Sequence, residues 1–319
     1  MKLCIFGAGA VGGHIAAKLA ASGEEVSVVA RGAHLEAIRS KGLTLLHGEK
    51  TILGKVRASD RPADLGPQDC VFVTLKANML GAFADGAAPL LGPQTAVVFV
   101  QNGIPWWYAK ELPRLDPGGR LARAIAAERV IGGVAYSANE VVEPGVIKNN
   151  VPGNNMLVIG EINNEKTSRM EKLRAILEKA DLSSPPLEDI RQSIWAKLLQ
   201  NLGTSSLCTL MGVTVSDVRS DPYLSKIASR LGAEGRAIAK ALGVEVERAP
   251  TRPSGGQASG AVGHKPSMLQ DYERGRPMEI DAQLAAPLEL ARAAKVEAPT
   301  LEAIVSLVIY RAAAKGLYS

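Results

Sequence analysis

Aromatic residues make up only 4% of this 319-residue chain. Its core must therefore be filled by aliphatic side chains and alanine. No dense basic run with interleaved aromatics appears, so nucleic acid is not an expected partner. Cysteine is also scarce: Cys4, Cys70 and Cys208 stand far apart, with no C-x-x-C pair and no His/Cys cluster. That spacing offers no metal site, and Cys4 and Cys70 read as small residues of buried strands. No long uninterrupted apolar run is present, so no membrane span is expected. The chain opens directly on a strand without a leader pattern, and the expected location is cytoplasmic. Charge of neither sign dominates: 37 Lys and Arg against 32 Asp and Glu give +5, a mild excess that suits an anionic cofactor or substrate. Hydrophobic residues at 46% are those of a globular protein, and the length allows two domains.

What the chain does have is concentrated first in residues 1–31. Lys2-Leu3-Cys4-Ile5-Phe6 is a short apolar run, as in a fully buried parallel strand. Gly7-Ala8-Gly9-Ala10-Val11-Gly12 follows at once and fits G-x-G-x-x-G. Small, helix-prone residues run from Val11 to Ala21, Gly23 stops them, and Glu25 to Ala30 is a second strand. Gly7 allows the tight turn, Gly9 lets the backbone approach a pyrophosphate, and Gly12 lets helix pack on strand. The helix N-terminus then turns free N–H groups toward the phosphates. The motif alone is weak evidence; a strand before it and a helix after it are the context that makes it a dinucleotide site. An NAD site usually carries Asp or Glu at the end of the second strand. Here Ala30 and Arg31 stand there, and a cation without a carboxylate suits the 2′-phosphate of NADP. The plainer alternative for Arg31 is a solvated surface arginine.

Strand and helix patterns alternate up to about residue 165. Strands are expected at 43–46, 52–58, 70–75, 95–100, 130–136, 145–147 and 156–160, with helices at 34–41 and 79–91. This predicts an α/β fold, a Rossmann-type doubly wound parallel sheet over residues 1–165. From Lys166 helical periodicity takes over, at 170–179, 189–211, 223–242, 267–273, 278–295 and 299–314, with a Gly/Pro/Ser-rich loop at 250–263. Residues 166–319 are expected to form an all-helical substrate domain. Gly7, Arg31, Lys76 and Asn102 all follow strand ends, so they should line one edge of the sheet, where open α/β sheets bind ligands. The reacting substrate would then sit between the domains.

Several residues on that plan could carry chemistry. Lys197 lies on the margin of a broad apolar stripe formed by Ile194, Trp195, Leu198, Leu199 and Leu202. Asn201 and Ser205 continue its ridge at successive i,i+4 steps. A lysine ammonium beside apolar neighbours can give a proton to a developing alkoxide, and partial desolvation would bring its pKa toward working pH. A lysine snorkelling from the rim of a core helix has the same pattern. Ser267-x-x-Gln270 reads as a capping box, although an N-cap serine also suits a substrate carboxylate. Glu279 follows Pro277 in a first helical turn, where a carboxylate suits the dipole. Asn102-Gly103 reads either as an ordinary turn or as an amide beside a nicotinamide. Lys76 reads either as a solvated loop lysine or as a cofactor-phosphate contact.

Taken together these segments resemble the ketopantoate reductase (2-dehydropantoate 2-reductase) family. The resemblance is carried by Gly7 to Gly12, Leu75-Lys76, Gln101-Asn102-Gly103, Trp195 to Asn201, Lys265 to Asp271 and Glu279-Ile280-Asp281, in family order over nearly the whole chain. It implies a Rossmann domain followed by a helical domain of the 6-phosphogluconate-dehydrogenase type. It also implies NADPH-dependent reduction of a 2-oxo acid, 2-dehydropantoate to pantoate, in the pathway to pantothenate and coenzyme A. On this resemblance Lys197 is the proton donor, and Glu279 a carboxylate near cofactor and active site. Asn102 touches both cofactor and substrate. Asn201 and Ser267 touch substrate, and Arg31, Lys76 and the backbone of Ala138 touch NADPH. The resemblance has gaps. Ser205 stands where archetypal members carry a second asparagine, Val215 or Ser216 where they carry a third, and His264-Lys265 where an asparagine often precedes the serine motif. Losing amides that would bond the pantoyl hydroxyl should relax or redirect substrate choice. A paralogous reductase for another 2-oxo acid, or an NADPH-binding sensor without turnover, therefore stays open, as does pairing of the helical domain in a homodimer.

Overall fold

The computed structural model describes residues 1–110, 112–250 and 263–318. The loop expected at 250–263 lies almost wholly outside them. A seven-stranded sheet is built from β1 (Lys2–Phe6), β2 (Glu25–Val29), β5 (Arg57–Ser59), β6 (Gln68–Val73), β7 (Leu91–Val100), β8 (Val130–Tyr136) and β11 (Met156–Glu161). Its order is β11-β8-β7-β6-β1-β2-β5, and every pair is parallel except β11 on β8. The strand order reverses direction beside β1, so the crevice above Gly7 is the expected ligand position.

A second sheet, absent from the sequence expectation, has the order β4-β3-β10-β9. Its strands are β3 (Leu43–His47), β4 (Lys50–Gly54), β9 (Asn139–Glu143) and β10 (Val146–Asn149). The run expected as one strand at 52–58 is therefore split: β4 joins the small sheet and β5 the large one. Helix α1 (Ala10–Ala21) packs between the two sheets, which is why it is buried all round, from Gly12 to Leu19. Two of those buried residues are polar. His14 accepts from Asn149 Nδ2 (3.1 Å). Lys18 donates to the Asp181 carbonyl (3.1 Å) and pairs with its carboxylate. At the start of α2 (Gly32–Lys41), His34 is a strut. Its Nδ1 accepts from Gly145 N (2.9 Å), so its Nε2–H donates to Ala8 O (2.6 Å).

Helix α5 (Ser168–Lys179) packs on β11, and its Met170, Leu173 and Leu177 join the core of the large sheet. A division at residues 165/166 cuts through that packing; we place it in the 183–189 connection. The helix expected at 79–91 is broken. Two short 3₁₀ turns flank α3 (Gly81–Gly86), in a stretch punctuated by Gly81, Gly86 and Pro89. A short α4 (Arg120–Ala124) was not expected at all.

The helical unit is organised on α6 (Ile190–Met211), N-capped by Asp189 and ended by Gly212 at φ 71°. Around it stand α7 (Val215–Ser220), α8 (Pro222–Ala241), α9 (Ser267–Glu273), α10 (Ala286–Ala293) and α11 (Pro299–Ala313). The first turn of α6 is seated on the sheet. Gly132 of β8 and Gly160 of β11 are direct neighbours, and a Cβ on either would come within 2.9 Å of Ile190. No helix of the described residues is long and apolar enough to cross a membrane.

Burial, aided by the Lys18 charge, pushes the His14 imidazole down from 6.5 to about 3. The unfolded chain therefore takes up a proton that the native one refuses. This group's stabilisation is present above pH 6.5 and is lost as pH falls from 6.5 toward 3, at up to about 1.4 kcal/mol per pH unit. Urea unfolding between pH 7 and 5 should show that slope, and His14→Gln should flatten it.

Candidate active site

The carboxyl ends of β1, β2, β6, β7 and β8 open on one edge. The turn after β1 is tight: Gly7 has φ 105°, and both Gly7 N and Ala8 N donate to Val29 O (3.0 and 3.3 Å). Gly12 is where helix meets strand, since a Cβ there would lie 2.2 Å from Gly7 O and 2.3 Å from Thr74 Oγ1. Gly9 differs, because a Cβ there would have open space. Gly9 is also the N-cap of α1 and supplies no side-chain cap. Among the described residues nothing accepts from the N–H groups of Ala10, Val11 and Gly12. Open space in front of unspent amides at a helix N-terminus fits a pyrophosphate.

Arg31 follows the end of β2 by two residues as the N-cap of α2 and is exposed. Glu36, on the same helix, and Asp60, just after β5, both bind Arg39 (3.3 and 3.6 Å). Among the described residues no ion pair holds the Arg31 guanidinium. A guanidinium so placed can meet an anionic group of a dinucleotide.

The other strand ends meet the helical unit. Lys76, after β6, pairs with Asp271 of α9 at 2.5 Å. Asp271 carried no separate role in the sequence reading. One residue further on, Ala77 N donates to Glu279 Oε1 (2.9 Å), and the Asn102 amide stands close enough to the same carboxylate to favour its ionised form. Glu279 is buried, and burial raises its pKa above the ordinary value. The Ala77 N–H, Lys76 and the Asn102 amide oppose that rise, and Asp271 adds to it. Asn102 follows β7. The next residue, Gly103, has φ 81° and lies against the backbone of the π turn Asp281–Ala285: Ile104 N donates to Ala282 O (2.8 Å). The helix expected over 278–295 thus opens with a π turn, a form that recurs at functional sites.

Lys197 donates from Nζ to Ala135 O (2.6 Å) near the end of β8, and Nζ stands 5.7 Å from the centre of the Tyr136 ring. Asn201, one turn on, donates to Gln283 Oε1 (3.3 Å). Ser205, a further turn on, is buried. Sequence reasoning had no signal for Gln283, which is 82 residues from its partner. Ser267 does not cap α9: Pro266 is the N-cap, and Gln270 donates to Lys265 O (2.8 Å). The serine is exposed in the first turn, on the ridge that carries Asp271 toward Lys76. Ala138 stands between β8 and β9, its carbonyl accepting from Asn150 N (2.8 Å). Together, five strand ends, α6, α9 and the π turn enclose a cleft with an anion cradle at one end and a lysine, a carboxylate and several amides at the other.

The seam is tight at Gly103, where a Cβ would lie 2.3 Å from Ala282 O. Gly103→Ala should destabilise the protein by about 2–4 kcal/mol, from backbone strain plus overpacking. The urea midpoint of the variant checks this.

The model of "Ketopantoate reductase PanE/ApbA" matches residues 3–164, and that of its C-terminal part matches residues 189–311. A 2-dehydropantoate 2-reductase of Mesorhizobium japonicum is 43% identical, covering 100% of both chains. One of Pyrococcus abyssi is 30% identical over 94% of each. A crystal structure of a putative ketopantoate reductase from Ralstonia solanacearum superposes with a TM-score of 0.87 at 37% identity, over 99% of each chain. Matched over both of its units, with the glycine turn and the lysine helix facing one cleft, the chain is an oxidoreductase and belongs to the ketopantoate reductase family.

Proposed function

We propose that this protein reduces 2-dehydropantoate to pantoate with NADPH, a step toward pantothenate. The observation that carries the reading is the convergence of Lys197, Asn102 and Glu279 on the edge where the glycine turn opens. NADPH, when bound, supplies the hydride that adds to the 2-oxo carbon. The amides of residues 10–12 bind its pyrophosphate, and Arg31 its 2′-phosphate, with Lys76 and the Ala138 backbone as further contacts. Glu279 accepts from the Ala77 amide with Asn102 beside it, and so fixes the strand ends that would hold the nicotinamide end of the cofactor.

Lys197 does the acid work. Its ammonium binds the 2-oxo oxygen and passes a proton to it as negative charge develops there. The bond from Nζ to Ala135 O keeps the group aimed along the end of β8 and is partly exchanged for the substrate oxygen. Asn201 and Ser205 follow on the same ridge and meet the substrate's carbon chain. Ser267, on the opposite wall, offers its hydroxyl to the carboxylate.

Lys197→Ala should lower kcat by 10²–10⁴-fold, a range typical of general acid catalysis, with NADPH affinity nearly unchanged. NADPH oxidation with 2-dehydropantoate and fluorescence titration of the cofactor test the two halves. Near-normal turnover in this variant would sink the assignment. Arg31→Ala should weaken NADPH binding about 10-fold or more and leave NADH binding almost untouched, since only NADPH loses a charge-assisted bond. Equal losses for both cofactors would contradict the NADP reading.

A further inference from the structure

Gln283 has no role in what precedes, yet three parts of the cleft meet at it. Its backbone N donates to Glu279 O (3.2 Å), one turn back. Its backbone also lies against the loop after β7, where a Cβ on Gly103 would come within 2.9 Å of Gln283 N. Its side-chain Oε1 accepts from Asn201 Nδ2 (3.3 Å), one turn along α6 from Lys197. The residue is 2% exposed and sits among Ala282, Leu284, Ala285 and Ala286, all buried and apolar. A carboxamide at such a position is unfavourable unless its groups are paired. Only the oxygen is: no described residue accepts from Gln283 Nε2, and that atom is not among those sealed from solvent. On the other side of the pair, no described residue donates to Asn201 Oδ1.

One amide donor, on Gln283, and one carbonyl acceptor, on Asn201, therefore remain on two carboxamides already bonded to each other, one helical turn along α6 from Lys197. A hydroxyl group both accepts and donates, and that pair satisfies both capacities at once. Turning both amides over leaves the same two groups, so the match does not depend on which atom of each amide is oxygen.

We infer that Gln283, held by Asn201, is the specificity-determining residue that selects 2-oxo acids carrying a hydroxyl on the chain beyond the oxo carbon. Gln283 Nε2–H donates to the hydroxyl oxygen, and the hydroxyl donates to Asn201 Oδ1. This rests on the reductase reading above and assigns how its site chooses among substrates.

The test compares two substrates that differ only in that hydroxyl, 2-dehydropantoate and 3,3-dimethyl-2-oxobutanoate, in the full-length protein with NADPH. In the wild type kcat/KM should favour the hydroxylated acid. Gln283→Leu should reduce that preference at least 10-fold, mainly through KM for 2-dehydropantoate, with a clearly smaller loss in kcat/KM for the unhydroxylated acid. Gln283→Met, unbranched and of similar length, carries the same comparison if the leucine variant does not fold. An unchanged preference, or equal losses on both acids, overturns the inference and makes Gln283 a packing residue. A wild type that reduces neither acid overturns the reductase reading itself, and this inference with it.

Discussion

The seating of Ile190 over the Gly132–Gly160 pair is the contact on which the geometry of this molecule turns. Two glycines side by side on neighbouring strands leave a notch that a β-branched side chain fills. Because Ile190 is the first residue of a 22-residue helix, the notch sets both the height and the rotation of everything that follows on α6. Lys197 falls two turns along, at the level of the β8 carboxyl end. Asn201 and Ser205 then follow on the same ridge at helical spacing. A larger residue in the notch would move this whole ridge away from the sheet edge.

The opposite wall is held by polar contacts. Lys76 to Asp271, Ala77 N to Glu279 and Ile104 N to Ala282 O each join a strand end to the helical unit. None need be strong to matter, because all lie within a few residues of the groups proposed to react. The buried Glu279 is the most exacting of them: a carboxylate out of water is tolerable only while its bonds are made. The site is thus built from one apolar anchor and several short polar ties, with the chemistry between them.

Much of this was legible in the sequence because it is local. The glycine turn, the strand ends at Arg31, Lys76 and Asn102, and the limits of α6, α9 and α11 all depend on residues close in the chain. Most of what was missed depends on distant ones. The second sheet pairs β3 with β10 across a hundred residues, and β9 is too polar and exposed to look like a strand. Helix α5 carries an ordinary amphipathic pattern, which says that it has a partner but not that the partner is the sheet. Ser267-x-x-Gln270 has the letters of a capping box, but Pro266 already fixes the extended cap conformation and Gln270 turns to Lys265 O instead. Of the site residues, Lys197 and Glu279 were placed by pattern and resemblance. Gln283 and Asp271 draw their meaning from partners across the cleft that no periodicity encodes.

The small sheet and the His34 strut bear on the entropy of binding. Helix α1 is clamped on both sides, and the carbonyl of Ala8, in the middle of the glycine turn, is bonded to a histidine that is itself bonded to Gly145. The anion cradle therefore has little freedom left to lose when phosphate arrives, and its ordering is already complete in the folded chain.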